Sequence, residues 1–195
     1  VYDPEAEIVY WGVGNGGPWM GDRRPGDNLY VASVIGMDLE TGVIENHYQY
    51  TPNESWDWDE VNGPLLIDLP RGGQTVPGLV HAGRNGVLYF IERTADGQLD
   101  FIDHRDFVYA DWYESVSEDG YFTPKAASKP GSGFVGEFCP SFAGGVDWPS
   151  LAYSPDTNYL YIPANENLCG RMSGGTVVEY VPGQNFTRGT TASGS

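Results

Sequence analysis

Basic residues are scarce: ten Lys and Arg stand against 27 Asp and Glu in 195 residues, a formal net charge of −17. A chain this acidic repels phosphate backbones and anionic headgroups, which excludes nucleic acid and anionic membrane surfaces as partners and favours cations. Histidine is also rare. His47, His81 and His104 stand singly, so the sequence has no imidazole or thiolate cluster suited to zinc or copper. No run of about 18 apolar residues occurs that could span a membrane, and the N-terminus lacks the basic and apolar regions of a signal peptide. Val1-Tyr2-Asp3-Pro4 opens in mid-motif, so the chain is expected to be an internal segment of a longer, exported protein. Without a Cys-x-x-Cys-His, this segment attaches no covalent haem. Only Cys139 and Cys169 are present, and the sequence alone leaves a disulfide and two buried thiols equally open.

Glycine (27), proline (14) and aromatic residues (14%) are plentiful, a composition of turn-rich β proteins. Strands are expected at 29–38, 44–50, 75–81 and 176–181, with a hairpin turn at Asp38-Leu39-Glu40-Thr41-Gly42. Three further segments repeat one pattern: Ile8-Val9-Tyr10-Trp11, Val87-Leu88-Tyr89-Phe90 and Tyr159-Leu160-Tyr161-Ile162. Two of them follow matching turns, Tyr2-Asp3-Pro4-Glu5 and Tyr153-Ser154-Pro155-Asp156. The repeated tyrosines fall 79 and 72 residues apart, the signature of a β-propeller with loops inserted between strands. The chain then holds between two and three blades, fewer than the four needed for closure. Residues 1–188 are expected to belong to one propeller domain and 189–195 to form a linker-like tail. Asn53-Glu54-Ser55 and Asn185-Phe186-Thr187 are formal glycosylation sequons, a triplet frequent by chance.

Chemistry concentrates in Trp56-Asp57-Trp58-Asp59 and in Gly14-Asn15-Gly16-Gly17-Pro18-Trp19. In extended backbone Asp57 and Asp59 leave one face while Trp56 and Trp58 leave the other. Two carboxylates with an amide oxygen suit a hard cation such as calcium. On spacing alone, a glycine-rich turn with solvated loop charges is the commoner reading. Arg84-Asn85-Gly86 likewise reads as a turn between two strands.

Tyr10-Trp11-Gly12-Val13-Gly14-Asn15-Gly16-Gly17-Pro18-Trp19 followed by Arg24-Pro25-Gly26-Asp27-Asn28-Leu29-Tyr30 resembles the pyrroloquinoline quinone (PQQ)-dependent alcohol dehydrogenases of the methanol and ethanol dehydrogenase type. The likeness continues in order through Tyr50-Thr51-Pro52-Asn53, Trp56-Asp57-Trp58-Asp59-Glu60-Val61-Asn62, His81-Ala82-Gly83-Arg84-Asn85-Gly86, Cys139-Pro140-Ser141 and Tyr161-Ile162-Pro163-Ala164-Asn165. The resemblance implies an eight-bladed all-β propeller with the cofactor on its axis. It implies Asp57 as general base and metal ligand, Asn15 as metal ligand, and Arg84 as the cation bonded to the reactive quinone oxygen. Asp59, two residues beyond the base, is similar to the members that use a lanthanide ion in place of Ca2+. A disulfide between Cys139 and Cys169, an oxidising periplasmic or secreted location, an alcohol substrate and a cytochrome-type electron acceptor are implied as well. A homodimer stays open as the assembly.

The chain departs from that family in places. Asp147, in Gly144-Gly145-Val146-Asp147-Trp148, stands where an asparagine approaches the cofactor beside Trp148, and Asn46 stands where a blade-docking tryptophan commonly follows Gly42. Gly16-Gly17 replaces bulkier residues of methanol-specific relatives, which points to room for a larger alcohol. Two other classes compete. A non-catalytic propeller scaffold would need none of Asn15, Asp57 and Arg84, and a calcium-stabilised sugar-binding or hydrolytic propeller would not need Arg84.

Overall fold

A computed structural model describes residues 1–175, 179–186 and 190–194. Two antiparallel four-stranded sheets follow one another. The first runs β1 (Tyr2–Asp3), β2 (Ile8–Gly12), β3 (Ser33–Asp38) and β4 (Ile44–Gln49) in spatial order, and the second runs β5 (Leu65–Arg71), β6 (Gln74–Ala82), β7 (Val87–Arg93) and β8 (Leu99–Asp106). Beyond them lie the hairpin β9 (Tyr113–Val116) and β10 (Phe122–Pro124), strand β11 (Val135–Phe138), and the hairpin β12 (Ala152–Ser154) and β13 (Tyr159–Tyr161). Strand β14 (Cys169–Ser173) pairs with β11 on one side and β15 (Thr190–Gly194) on the other. A single 3-10 turn, Gly21–Arg23, is the only helical element among the described residues.

Alternation along β6 and β7 shows how the sheets stack. Leu79, Val87, Tyr89 and Ile91 join a core with Ile8, Tyr10, Val34 and Tyr48 of the first sheet. Val80, Ala82 and Leu88 join the opposite core with Val146 and Leu151, against which Leu160 of β13 packs. Successive side chains of a strand point to opposite faces, so the second sheet is covered on both, the face-to-face stacking of propeller blades. Cross-sheet bonds hold the first pair: Arg93 pairs with Asp3, and Asn46 Nδ2 donates to Gly97 O at 2.6 Å. At the docking position, then, Asn46 makes a hydrogen bond where the resembled family commonly has a tryptophan, and it lines a cavity of about 660 Å³ between the sheets.

Several expectations are met locally. Asp38 Oδ1 accepts the Thr41 N–H at 2.7 Å and Gly42 has φ +69°, which closes the β3–β4 hairpin. The strand spacing is corrected. Tyr10 and Tyr161 lie in the second strand of their pairings, but Tyr89 lies in the third strand of its sheet. The full sheets start at Tyr2 and Leu65, so the tyrosine step does not measure a blade. Of the strand expected at 176–181, residues 176–178 lie outside the described residues and 179–181 form no strand. Residues 190–194 of the tail read as linker-like pair with β14, because that strand's second edge is open and Thr190 and Thr191 are β-branched.

Cys139 and Cys169 form a disulfide across 30 residues, tying the loop after β11 to the start of β14. Reduction is expected to lower stability by about 3–4 kcal/mol through the freed loop. Thermal unfolding of the full-length protein with and without reductant measures this, and an unchanged midpoint would contradict it.

Candidate cofactor and metal site

The loops that follow β2, β4 and β6 come together at one end of the two sheets. Gly12 is required where they cross: a Cβ there would lie 1.9 Å from the Glu60 carbonyl oxygen. The loop after β4 is anchored by its indoles. Trp56 and Trp58 stack with centroids 4.9 Å apart and planes at 13°, and Trp112 meets both edge-on. All three are fully buried. Trp56 Nε1 donates to Ser128 O at 2.8 Å and Trp58 Nε1 to Ser141 O at 2.9 Å, so the intervening residue cannot drift. Truncating a buried tryptophan costs about 3–5 kcal/mol.

Asp57 departs from the extended backbone expected of it. Its φ is +69°, in the left-handed region, so the strand alternation expected of Asp57 and Asp59 does not apply there. Asp57 Oδ1 accepts Asn15 Nδ2 at 2.5 Å. Asp59 Oδ1 accepts the Asn15 N–H at 2.7 Å, and Asp59 Oδ2 accepts Arg84 Nη1 at 3.1 Å. Arg84 is buried in the β6–β7 turn; its Nη1 lies 3.5 Å from Asp147 Oδ1 and its Nη2 donates to Phe142 O at 2.9 Å. Arg84 thus lies in a turn between two strands, as read from Arg84-Asn85-Gly86. Asn15, Asp57, Asp59, Arg84 and Asp147 converge, while Trp148 beside them is 76% exposed.

Burial pushes the Asp57 carboxyl up to about 7; Arg84 opposes this, and Asp59, Glu54 and Asp147 add to it. Carboxylates outnumber cations around Asp57, and Arg84 Nε is a buried donor with no partner among the described residues. Such a donor set fits a hard cation together with a group that offers carbonyl or carboxylate oxygens. Among the described residues no three His, Cys, Asp or Glu side chains are clustered to hold a metal unaided.

Two buried acids escaped the reading of the sequence. Glu60 Oε2 lies 2.7 Å from His81 Nε2 and accepts the Arg84 N–H at 3.1 Å, and the Tyr50 ring stacks on His81 at 4.2 Å. Burial raises the Glu60 pKa and His81 opposes it. Glu54 is buried on the other flank of the tryptophans. The available signal was an acid three residues to either side of Asp57 in an aromatic run. The sequon at Asn53 is closed by the fold, because its Nδ2 donates to Arg24 O, Gly26 O and Asn28 Oδ1. A Cβ at Gly16 would meet Arg24 Nη1 at 2.7 Å, whereas one at Gly17 would make an ordinary contact with the Phe186 carbonyl at 3.4 Å.

Residues 1–107 match the family described as PQQ, glucose/ethanol/alcohol dehydrogenase, beta-propeller domain. The chain is 37% identical over 174 residues to quinoprotein alcohol dehydrogenase PedH of Pseudomonas putida, covering 85% of this chain and 28% of that protein. It is also 37% identical over 177 residues to the lanthanide-dependent methanol dehydrogenase of Methylacidiphilum fumariolicum, covering 89% of this chain and 28% of that protein. It superposes on a europium-containing methanol dehydrogenase with a TM-score of 0.89 at 33% identity, covering 98% of this chain and 33% of that one. The chain spans less than a third of the length of these curated relatives.

Proposed function

Because this chain belongs to the PQQ-dependent alcohol dehydrogenase β-propeller family, we propose that its protein oxidises an alcohol to an aldehyde or ketone. Asp57 is the general base, and a hard metal ion is held by Asn15, Asp57 and Asp59. The observation that carries the reading is the meeting of Asn15 and Asp57 at 2.5 Å beside the buried Arg84, with the Asp57 carboxyl pushed up to about 7. A base with that affinity for a proton is matched to neutral pH.

When bound, PQQ supplies an electrophilic carbonyl that accepts the substrate's hydride, while the metal ion polarises that carbonyl as a Lewis acid. The chain's residues supply the rest. Asp57 takes the hydroxyl proton onto a carboxylate oxygen as the carbinol C–H bond breaks. Asn15 faces Asp57 through its amide; rotation about its last side-chain bond offers the oxygen to a cation instead. Arg84 keeps Asp59 and Asp147 in place, and its Nε, unpartnered among the described residues, would serve an acceptor on the cofactor. Asp147 lies beside Arg84, with Trp148 next to it in the chain. Electrons leave to a cytochrome-type acceptor, and the protein works in the periplasm or outside the cell. No helix among the described residues is long and apolar enough to cross a membrane.

The absorbance spectrum and metal content of the purified full-length protein test the reading. Quinone together with a lanthanide or calcium supports it; neither, even after reconstitution, leaves the scaffold. The metal is separated by Asp59. Its oxygens already engage the Asn15 N–H and Arg84, and a further carboxylate favours a trivalent ion over a divalent one. Asp59→Ala is expected to abolish lanthanide-supported turnover, and unchanged turnover and lanthanide affinity would remove Asp59 from the ligand set.

A further inference from the structure

The backbone that carries Asp57 turns around a buried carboxylate. Glu54 is fully buried, and its Oε1 accepts the N–H of Trp56 at 2.5 Å and of Trp58 at 3.0 Å, the two residues that bracket Asp57. The left-handed φ of Asp57 is a conformation that costs a non-glycine residue roughly 1–2 kcal/mol. It persists only where the surroundings over-determine it. Here it brings the neighbouring N–H groups onto one oxygen, a concavity of the kind that binds anions. Packing alone does not account for Glu54: a carboxylate among indoles carries a desolvation penalty that an apolar side chain would avoid, and its second oxygen, Oε2, has no partner among the described residues.

Glu54 also reaches the loop that carries Asn15. Burial raises the Glu54 pKa, and the Trp58 and Trp56 N–H groups, Arg24 and the Gly16 N–H next to Asn15 oppose the rise. Arg24 Nη2 donates to the Glu54 carbonyl oxygen and Arg24 Nε to Pro18 O at 2.9 Å. Arg24 thus ties the Asn15 loop to the backbone of Glu54 at the start of the Asp57 turn.

We propose that Glu54 is a positioning residue whose carboxylate templates the left-handed turn at Asp57 and so aims the Asp57 side chain at Asn15. Its catalytic consequence rests on the function proposed above; the templating does not.

Three variants of the full-length protein test this. Glu54→Gln keeps an oxygen that can accept both N–H groups, Glu54→Asp is one methylene too short, and Glu54→Ala removes the template. Crystal structures are expected to show Asp57 left-handed and bonded to Asn15 in Glu54→Gln and released in Glu54→Asp. La3+ titration of the metal-free protein should show weakened binding in Glu54→Asp and recovery in Glu54→Gln. Turnover per bound PQQ in Glu54→Asp should fall about 100-fold with KM unchanged, as expected of a misplaced catalytic group. A merely structural role would lower the unfolding midpoint and leave turnover per bound PQQ intact. Glu54→Asp with a left-handed Asp57 and native La3+ affinity would overturn the proposal. So would Glu54→Gln as impaired as Glu54→Asp, since charge rather than geometry would then be the determinant. Should Glu54→Ala fail to fold, the Asp and Gln pair still decides. If the unaltered protein oxidises no alcohol, the functional reading fails, and the variant crystal structures judge the template independently.

Discussion

Asp57→Asn is expected to remove alcohol oxidation, by about 10³-fold or more, while PQQ stays bound and the metal-free protein becomes more stable at neutral pH. The loss follows from chemistry: asparagine keeps an oxygen to accept Asn15 Nδ2 but cannot take the hydroxyl proton, and a positioned general base is worth about 10²–10⁴-fold. The stabilisation follows from linkage. The Asp57 carboxyl moves from 3.8 to about 7 on folding, chiefly by burial, so the folded state holds its proton more tightly than the unfolded chain. Its effect on stability is neutral below the unfolded pKa and grows unfavourable as pH rises from about 4 to about 7. Asparagine has no such term. Discounted for the partial exposure of Asp57, the variant gains about 1–3 kcal/mol at pH 8. Unfolding midpoints of both metal-free proteins at pH 4 and pH 8 provide the measurement; the gap should open with pH. Full turnover would remove Asp57 as the base, and a gap independent of pH would contradict the burial argument.

Arg84→Ala is expected to be the most damaging single change at the site, lowering stability by about 2–3 kcal/mol and turnover to background. Its guanidinium pairs Asp59 and approaches Asp147, and it donates to the Phe142 carbonyl. Removing it leaves two carboxylates and one carbonyl oxygen uncompensated. A fully buried pair broken this way costs about 3–5 kcal/mol; the side chains of Asp59 and Asp147 are 31% and 37% exposed, hence the smaller figure. Arg84 is also the largest influence holding the Asp57 pKa down, so its loss raises that pKa further and keeps the base protonated at neutral pH. Arg84→Lys retains a charge but cannot span Asp59 and the Phe142 carbonyl at once. It should recover part of the stability and little of the turnover. Denaturation midpoints and single-turnover rates of the two variants separate these effects. A lysine variant with native turnover would show that charge alone suffices at this position.

The hairpins were legible because their determinants are local. Asp38 to Gly42 carries its own turn chemistry, and Ile8 to Trp11 follows the Asp3-Pro4 reversal that sets up β2. Strand β8 was not among the expected strands: Leu99-Asp100-Phe101-Ile102-Asp103-His104-Arg105-Asp106 is rich in charge and becomes a strand because β7 offers it a partner edge. The tyrosine repeat misled for a related reason. Tyr10 and Tyr89 share a local pattern but occupy different places in their sheets, and pairing partners rather than local sequence define the place.

At the site, the sequence by itself determined the identities and order of Asn15, Asp57, Asp59, Arg84 and Asp147, and the acidity that calls for a cation. Side-chain chemistry is a property of the residue, wherever the chain goes. Tertiary structure alone decided that Asp57 is left-handed, that Glu54 and Glu60 are buried structural acids, and that the space beside Gly16 belongs to Arg24. Those outcomes hang on contacts between distant segments, such as Trp58 Nε1 on Ser141 O across 83 residues and Asn15 on Asp57 across 42. Burial converts a carboxylate from a solvated charge into a base or a template, and burial is set by what folds over it.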